Sequence, residues 1–192
     1  MQYNISEKLV NMKPSAIREI FKSLTDPEII AFAAGNPAPE SFPSEKLAGL
    51  ASDIFANRSS QALQYGITEG YPVLREQVTS RLETRFGIKR EGNGVMMVSG
   101  GQQGIELTCK VMCNEGDVVL TEDPSFIGAL NAFRSNGAKT VGVEMEDDGI
   151  NIEKLKIAIK NNPRAKILYL IPTFHNPAGT TMSLEKRKAV YE

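Results

Sequence analysis

From Val95 to Ile171, short apolar runs alternate with amphipathic stretches, and that alternation limits the possible folds more than any other feature. Runs near 95–98, 117–121, 139–144 and 166–171 have strand length. Between them, 102–113, 126–136 and 151–161 repeat their apolar residues at helical spacing. Strands separated by helices require right-handed crossovers and a mainly parallel sheet, so the expected class is α/β, a three-layer αβα sandwich. On such sheets, ligands gather beyond the carboxyl ends of the strands. The segments there are Ser99-Gly-Gly-Gln-Gln-Gly104, Glu122-Asp-Pro-Ser-Phe126 and Pro172-Thr-Phe-His-Asn-Pro-Ala-Gly179.

The first of these turns carries the clearest chemistry. Gly100 and Gly101 let the backbone approach a ligand without Cβ obstruction. The helix that follows starts with unpaired N–H groups and the positive end of its dipole, an arrangement that suits phosphate. The same glycines would also serve plain strand–helix packing. Val95–Val98, with Met96 and Met97, reads as a buried strand. Glu122-Asp123, followed by Pro124 and with no histidine in register, reads as a strand-end turn and not as a metal site. His175, the single histidine, reads as a loop residue in preference to a base. Cys109 and Cys113 stand four apart on one helix and read as core thiols, since neither a CxxC pair nor a disulfide framework has that spacing.

Upstream, residues 1–45 read as an N-terminal arm and loop, and 46–192 as one large domain. The arm holds an amphipathic helix over 15–24 and the rigid loop Gly35-Asn-Pro-Ala-Pro39. Ser44 can cap a helix bearing Leu47, Leu50, Ala51, Ile54 and Phe55. Pro72 suits a first helical turn, Leu74, Val78, Leu82 and Phe86 step by four, and Gly87 ends that helix. Ser183 can cap a last helix over 184–192, after which no further strand follows, so the chain reads as cut short. With 22 basic and 23 acidic residues spread throughout, no basic stripe suggests nucleic acid. No apolar run nears the roughly 20 residues of a membrane helix, and charges in the first twenty residues leave no signal-peptide core. A cytoplasmic protein with no metal, nucleic-acid or membrane partner is the expectation.

Taken in order, Gly35-Asn-Pro, Leu63-Gln-Tyr-Gly with Glu69-Gly, Ser99-Gly-Gly-Gln-Gln-Gly, Glu122-Asp-Pro-Ser-Phe and His175-Asn-Pro-Ala-Gly resemble the class I/II aminotransferases. Lys13-Pro-Ser-Ala-Ile-Arg18 and the Gln102-Gln103 pair are most similar to the kynurenine/2-aminoadipate and aromatic branch. The resemblance implies the aspartate-aminotransferase-like fold, pyridoxal 5′-phosphate (PLP) as cofactor, amino acid and 2-oxo acid substrates, and a homodimer. It implies a phosphate cup at Gly100, Gly101 and Gln102, stacking by Phe126, and an amide bond from Asn176 to the phenolic oxygen. Tyr65 would reach the phosphate of a second subunit, while Gly35, Arg18 and Asn176 would face the substrate. Two positions depart from the branch, which often has serine at Gly101 and tyrosine at Phe126.

The family's Schiff-base lysine, its pyridinium aspartate and its carboxylate-binding arginine find no match in these 192 residues. No lysine stands in a Ser-x-Ser-Lys context, so the chain by itself is expected not to transaminate. A pseudoenzyme and the sensor domain of a transcription regulator are the alternative readings. A dinucleotide-binding module fits poorly, because Ser-Gly-Gly-Gln-Gln-Gly departs from GxGxxG and leaves Asn-Pro-Ala-Gly without a purpose.

Overall fold

The computed structural model describes residues 37–192 together with Tyr3, Asn4, Ser6, Leu9, Ile29 and Gly35. Arg18 and the helix expected over 15–24 lie outside the described residues. Two compact units divide the chain, one of residues 13–97 and one of residues 98–192 with 1–12. No helix among the described residues is long and apolar enough to cross a membrane.

The 13–97 unit contains a 3-10 turn, Pro39–Ser41, and two helices. Helix α1, Ser44–Leu63, kinks where Arg58 leaves helical geometry. Ser44 is its first residue and Pro43 its N-cap, so the expected serine cap is not made. Helix α2, Pro72–Phe86, starts and stops as its sequence predicts. Proline occupies the first turn, and Gly87 at φ 68° closes the end by donating its N–H to the Glu83 carbonyl. Arg90 then ties the following chain back to Glu76 at 2.7 Å and Glu83 at 3.1 Å.

The run 95–98 is not a strand, contrary to expectation. The Met97 N–H donates to the Glu69 carbonyl at 2.9 Å, and the Val95 carbonyl accepts Arg75 Nε at 2.7 Å. A loop and a side chain thus take groups that a ladder would use. Met96 is 50% exposed and not in a core. Met97 packs on Gly70, where any Cβ would stand 2.6 Å from its side chain. An apolar run becomes a strand only when a neighbouring strand accepts its backbone groups, and none among the described residues pairs with this one.

The 98–192 unit has the expected α/β pattern. In chain order it runs α3 (Gly101–Met112), β1 (Val118–Asp123), α4 (Ile127–Ser135), β2 (Lys139–Glu146), β3 (Gly149–Ile150), α5 (Ile152–Asn161), β4 (Ala165–Tyr169) and α6 (Leu184–Tyr191). The sheet order is β3-β2-β1-β4. Strand β1 pairs in parallel with β2 and β4, while the short β3 folds back antiparallel on β2. Asn151 and Ser183 cap α5 and α6 by accepting the N–H groups of Lys154 and Lys186.

Both faces of the sheet are covered. Val118 and Leu120 point to one face with Val143, Ile150, Leu155 and Met182, against α5 and α6. Val119 points to the other with Cys109, Ala129, Phe133 and Ala138, against α3 and α4. This two-sided burial lets β1 be continuously apolar over Val118–Leu120 instead of alternating. Full burial of side chains such as Leu120 and Phe133 contributes roughly 1.5–3 kcal/mol each.

At the base of β1, the buried Asp117 accepts the Asn114 N–H at 2.8 Å and meets Arg164 at 2.9 Å. These contacts, the Asn114 N–H first and the guanidinium after it, hold its carboxyl below the usual carboxylate range. A group depressed in this way stabilises the fold above its unfolded pKa and stops doing so as pH falls through its folded value. Urea midpoints measured against pH should therefore drop more steeply below about pH 4 in the unsubstituted chain than in Asp117→Asn.

Candidate functional site

Three segments leave the carboxyl-end rim of the 98–192 unit. The first is the α3 N-terminus. Gly100 caps it at φ 86°, a left-handed conformation that glycine adopts freely, and no side chain caps the helix. The Ser99 N–H donates to Gln103 Oε1 at 2.6 Å, which bends the turn over the helix start. Gly101 has nothing within 4 Å of the point where a Cβ would stand, so the space beside the first turn is open.

The second segment is Asp123–Phe126, between β1 and α4. Phe126 is the N-cap of α4 and is half-buried against the cluster around Phe133. Gln102 donates from Nε2 to the Gly128 carbonyl at 2.9 Å and so joins the α3 start to the α4 start. Gly128 itself is hemmed in. A Cβ there would come within 2.6 Å of the Phe126 ring and 2.7 Å of Gln102 Oε1. Ser125 Oγ is buried without a hydrogen-bond partner.

The third segment, from β4 to α6, holds Asn176 at the surface directly after His175. His175 is a loop residue, as expected, yet it is 2% exposed, and its Nε2 stands 3.1 Å from Oε2 of Glu122. Glu122 is not in a turn. It lies within β1, 1% exposed, on the same side as Val118 and Leu120 by strand periodicity. Its Oε2 also accepts the Ile171 N–H at 2.8 Å. Burial first, then this carboxylate, push the Tyr169 phenol up from its ordinary value.

The structure thus joins Gly100, Gly101 and Gln102 to Phe126 through Gly128, and it anchors the Asn176 loop to the strand that leads to Phe126. Tyr65 and Gly35 belong to the other unit. Tyr65 is 99% exposed on the loop after α1. It lines an open groove of about 810 Å³ together with Ile54, Arg58, Ile67 and Tyr71. Gly35 is exposed at φ 61°. Cys109 and Cys113 are free, and burial, then Cys113, push the Cys109 thiol up to about 11, so it packs as a neutral apolar group. Among the described residues no three His, Cys, Asp or Glu side chains group as a metal site.

Sequence reading missed Glu122, Ser125 and Gly128. The available signal was an acid at an inward register position of an apolar strand, in a chain with one histidine. No comparable signal marks Gly128, whose necessity depends on two side chains that meet only in three dimensions.

A family model described as "Aminotransferase class I and II" matches residues 27–192. The chain belongs to that family. An aromatic-amino-acid aminotransferase of Thermococcus litoralis is 38% identical over 191 residues, covering 97% of this chain and 46% of that protein. A 2-aminoadipate transaminase of Thermus thermophilus is 39% identical over 181 residues, covering 94% and 44% respectively. The structure of a Pyrococcus horikoshii kynurenine aminotransferase, solved in complex with PMP, matches with a TM-score of 0.86 and 35% identity over 97% of this chain and 47% of that one. The chain spans about half the length of the curated relatives it matches. The expected family, branch and α/β fold are borne out.

Gly128→Ala should cost about 1–3 kcal/mol by overpacking against Phe126 and Gln102. In a Phe126→Ala background the cost should shrink, because the ring that a new methyl would strike is gone. A double-mutant cycle on urea unfolding measures both numbers.

Proposed function

We propose that this chain is the N-terminal portion of a PLP-dependent aminotransferase that moves an amino group between an amino acid and a 2-oxo acid. The observation that carries the reading is the Gln102–Gly128 junction, in a chain of this family. The junction sets an open helix N-terminus beside an aromatic ring, which is what a phosphorylated pyridine requires. The open space at Gly101 and the unpartnered Ser125 Oγ fit such a group.

Each residue then has a physical task. The Gly101 and Gln102 N–H groups, beside Gly100, would hold the phosphate by hydrogen bonds and the helix dipole. Phe126 would stack on the ring face, and Asn176 would donate its amide to the phenolic oxygen. PLP, when bound, supplies the electron sink for breaking a bond at the substrate Cα. On the family resemblance, Gly35, Arg18 and Asn176 would contact the substrate in the complete enzyme. Tyr65, solvent-exposed and held through its N–H to Gln64 Oε1 at 2.8 Å, suits a side chain that reaches the phosphate of a second subunit, and hence a homodimer. The cytoplasm suits an enzyme carrying two free thiols on one helix. On this reading, the amine that anchors the cofactor belongs to the remaining length of the enzyme.

Two measurements test the reading. Incubating the 192-residue chain with PLP and then borohydride should give no stoichiometric pyridoxyl-lysine at a single site. One fully labelled lysine on peptide mapping would place the anchoring amine within these residues and refute that part. In the longer polypeptide, Gly101→Glu should fold normally, given the free space at that Cβ. Its carboxylate should nonetheless weaken PLP binding by about tenfold or more through repulsion of the phosphate. Equilibrium dialysis gives the ratio, and unchanged affinity would remove the phosphate from the α3 start.

A further inference from the structure

The 171–183 loop is folded around one side chain that the sequence reading treated as incidental. The backbone N–H, the carbonyl and Nδ1 of His175 are all hydrogen-bonded within the loop. Its N–H donates to the Thr180 carbonyl at 2.8 Å, and its carbonyl accepts the Gly179 N–H at 2.5 Å. Its Nδ1 accepts the Ala178 N–H at 3.2 Å. An Nδ1 that accepts leaves the proton of a neutral ring on Nε2, which faces Glu122 Oε2 at 3.1 Å, although off the line of an ideal hydrogen bond. Arg187 braces the same loop by donating to the Pro172 and Met182 carbonyls at 2.5 and 2.9 Å.

The backbone carries a cost at this point. Phe174 has φ 48°, a left-handed conformation that a bulky residue rarely adopts, and its side chain is 81% exposed. Packing of Phe174 therefore cannot be what holds it there. The buried residue next to it is His175, and the residue after that is Asn176. Strained backbone persists where neighbouring contacts over-determine it, and such places cluster at ligand-contacting sites.

We propose that Glu122 and His175 form a positioning pair that presents the Asn176 amide to the cofactor's phenolic oxygen. Glu122 gathers the end of β1, the Ile171 N–H and the His175 ring at one carboxylate oxygen. The loop position is thereby referred to the sheet and not to solvent. The proposal rests on the reading of Asn176 as a cofactor contact and adds two residues that do not themselves touch the cofactor.

The test uses the longer polypeptide loaded with PLP, and reads the pH midpoint of the bound cofactor's absorbance. Removing a hydrogen bond to the phenolic oxygen disfavours its ionised form, so Asn176→Ala should raise the midpoint by about one unit or more. His175→Gln keeps an N–H at the reach of Nε2 and should leave the midpoint near that of the unsubstituted enzyme. His175→Asn can still accept from Ala178 but cannot reach Glu122, and should raise the midpoint. Combined with Asn176→Ala it should add nothing further. A normal midpoint in His175→Asn, alongside a raised one in Asn176→Ala, overturns the positioning role alone. An unmoved midpoint in Asn176→Ala overturns the cofactor contact and the proposal with it. In the 192-residue chain without cofactor, amide exchange at Gly179 should quicken at least tenfold in His175→Asn, and unchanged protection would count against the pair. Should His175→Asn not fold, Glu122→Ala, which removes the acceptor instead, takes its place in both measurements.

Discussion

A carboxylate buried at the end of an interior strand has to be satisfied, and the rim of this domain is arranged around that requirement. Removing a polar group from water costs free energy unless partners replace the lost hydration. Glu122 Oε2 accepts the Ile171 N–H and stands 3.1 Å from His175 Nε2. Both come from the segment that leaves the neighbouring strand β4. One buried carboxyl group thus ties the end of β4 and the loop from which Asn176 emerges to strand β1.

The sheet beneath makes that arrangement possible. Because β1 lies between β2 and β4 and is packed on both faces, it offers a rigid frame whose residues have fixed directions. Leu120 belongs to the core against α5 and α6, and Glu122 follows two residues later on the same side. On the opposite side, Val119 and Phe133 hold α3 and α4 against the sheet, and the edge contact of Phe133 with Tyr169 at 5.5 Å extends that packing to β4. With both helices held to one face, Gln102 reaches the Gly128 carbonyl and Phe126 comes to stand beside the α3 start. Core packing and ligand-facing geometry are consequences of the same register.

Much of this was readable without coordinates, for identifiable reasons. Pro72 and Gly87 bound α2 because a proline ring suits a first helical turn and glycine tolerates the left-handed end. The strand–helix alternation after residue 113 survived because each element carries its own periodicity and connects to the next by a short loop. The run 95–98 failed the same test. Its apolar character was real, but its backbone partners are Glu69 and Arg75 and not another strand.

By itself, the amino-acid order determined the class of the domain, the family it belongs to, and the turns that line the rim, because those depend on local spacing and on residue types that few backbone shapes accept. Tertiary structure alone decided that Glu122 is a buried partner of His175, that Gly128 must lack a side chain, and that Met96 faces solvent. Each of these depends on which atoms from distant segments arrive within a few ångströms, and no local pattern encodes that distance.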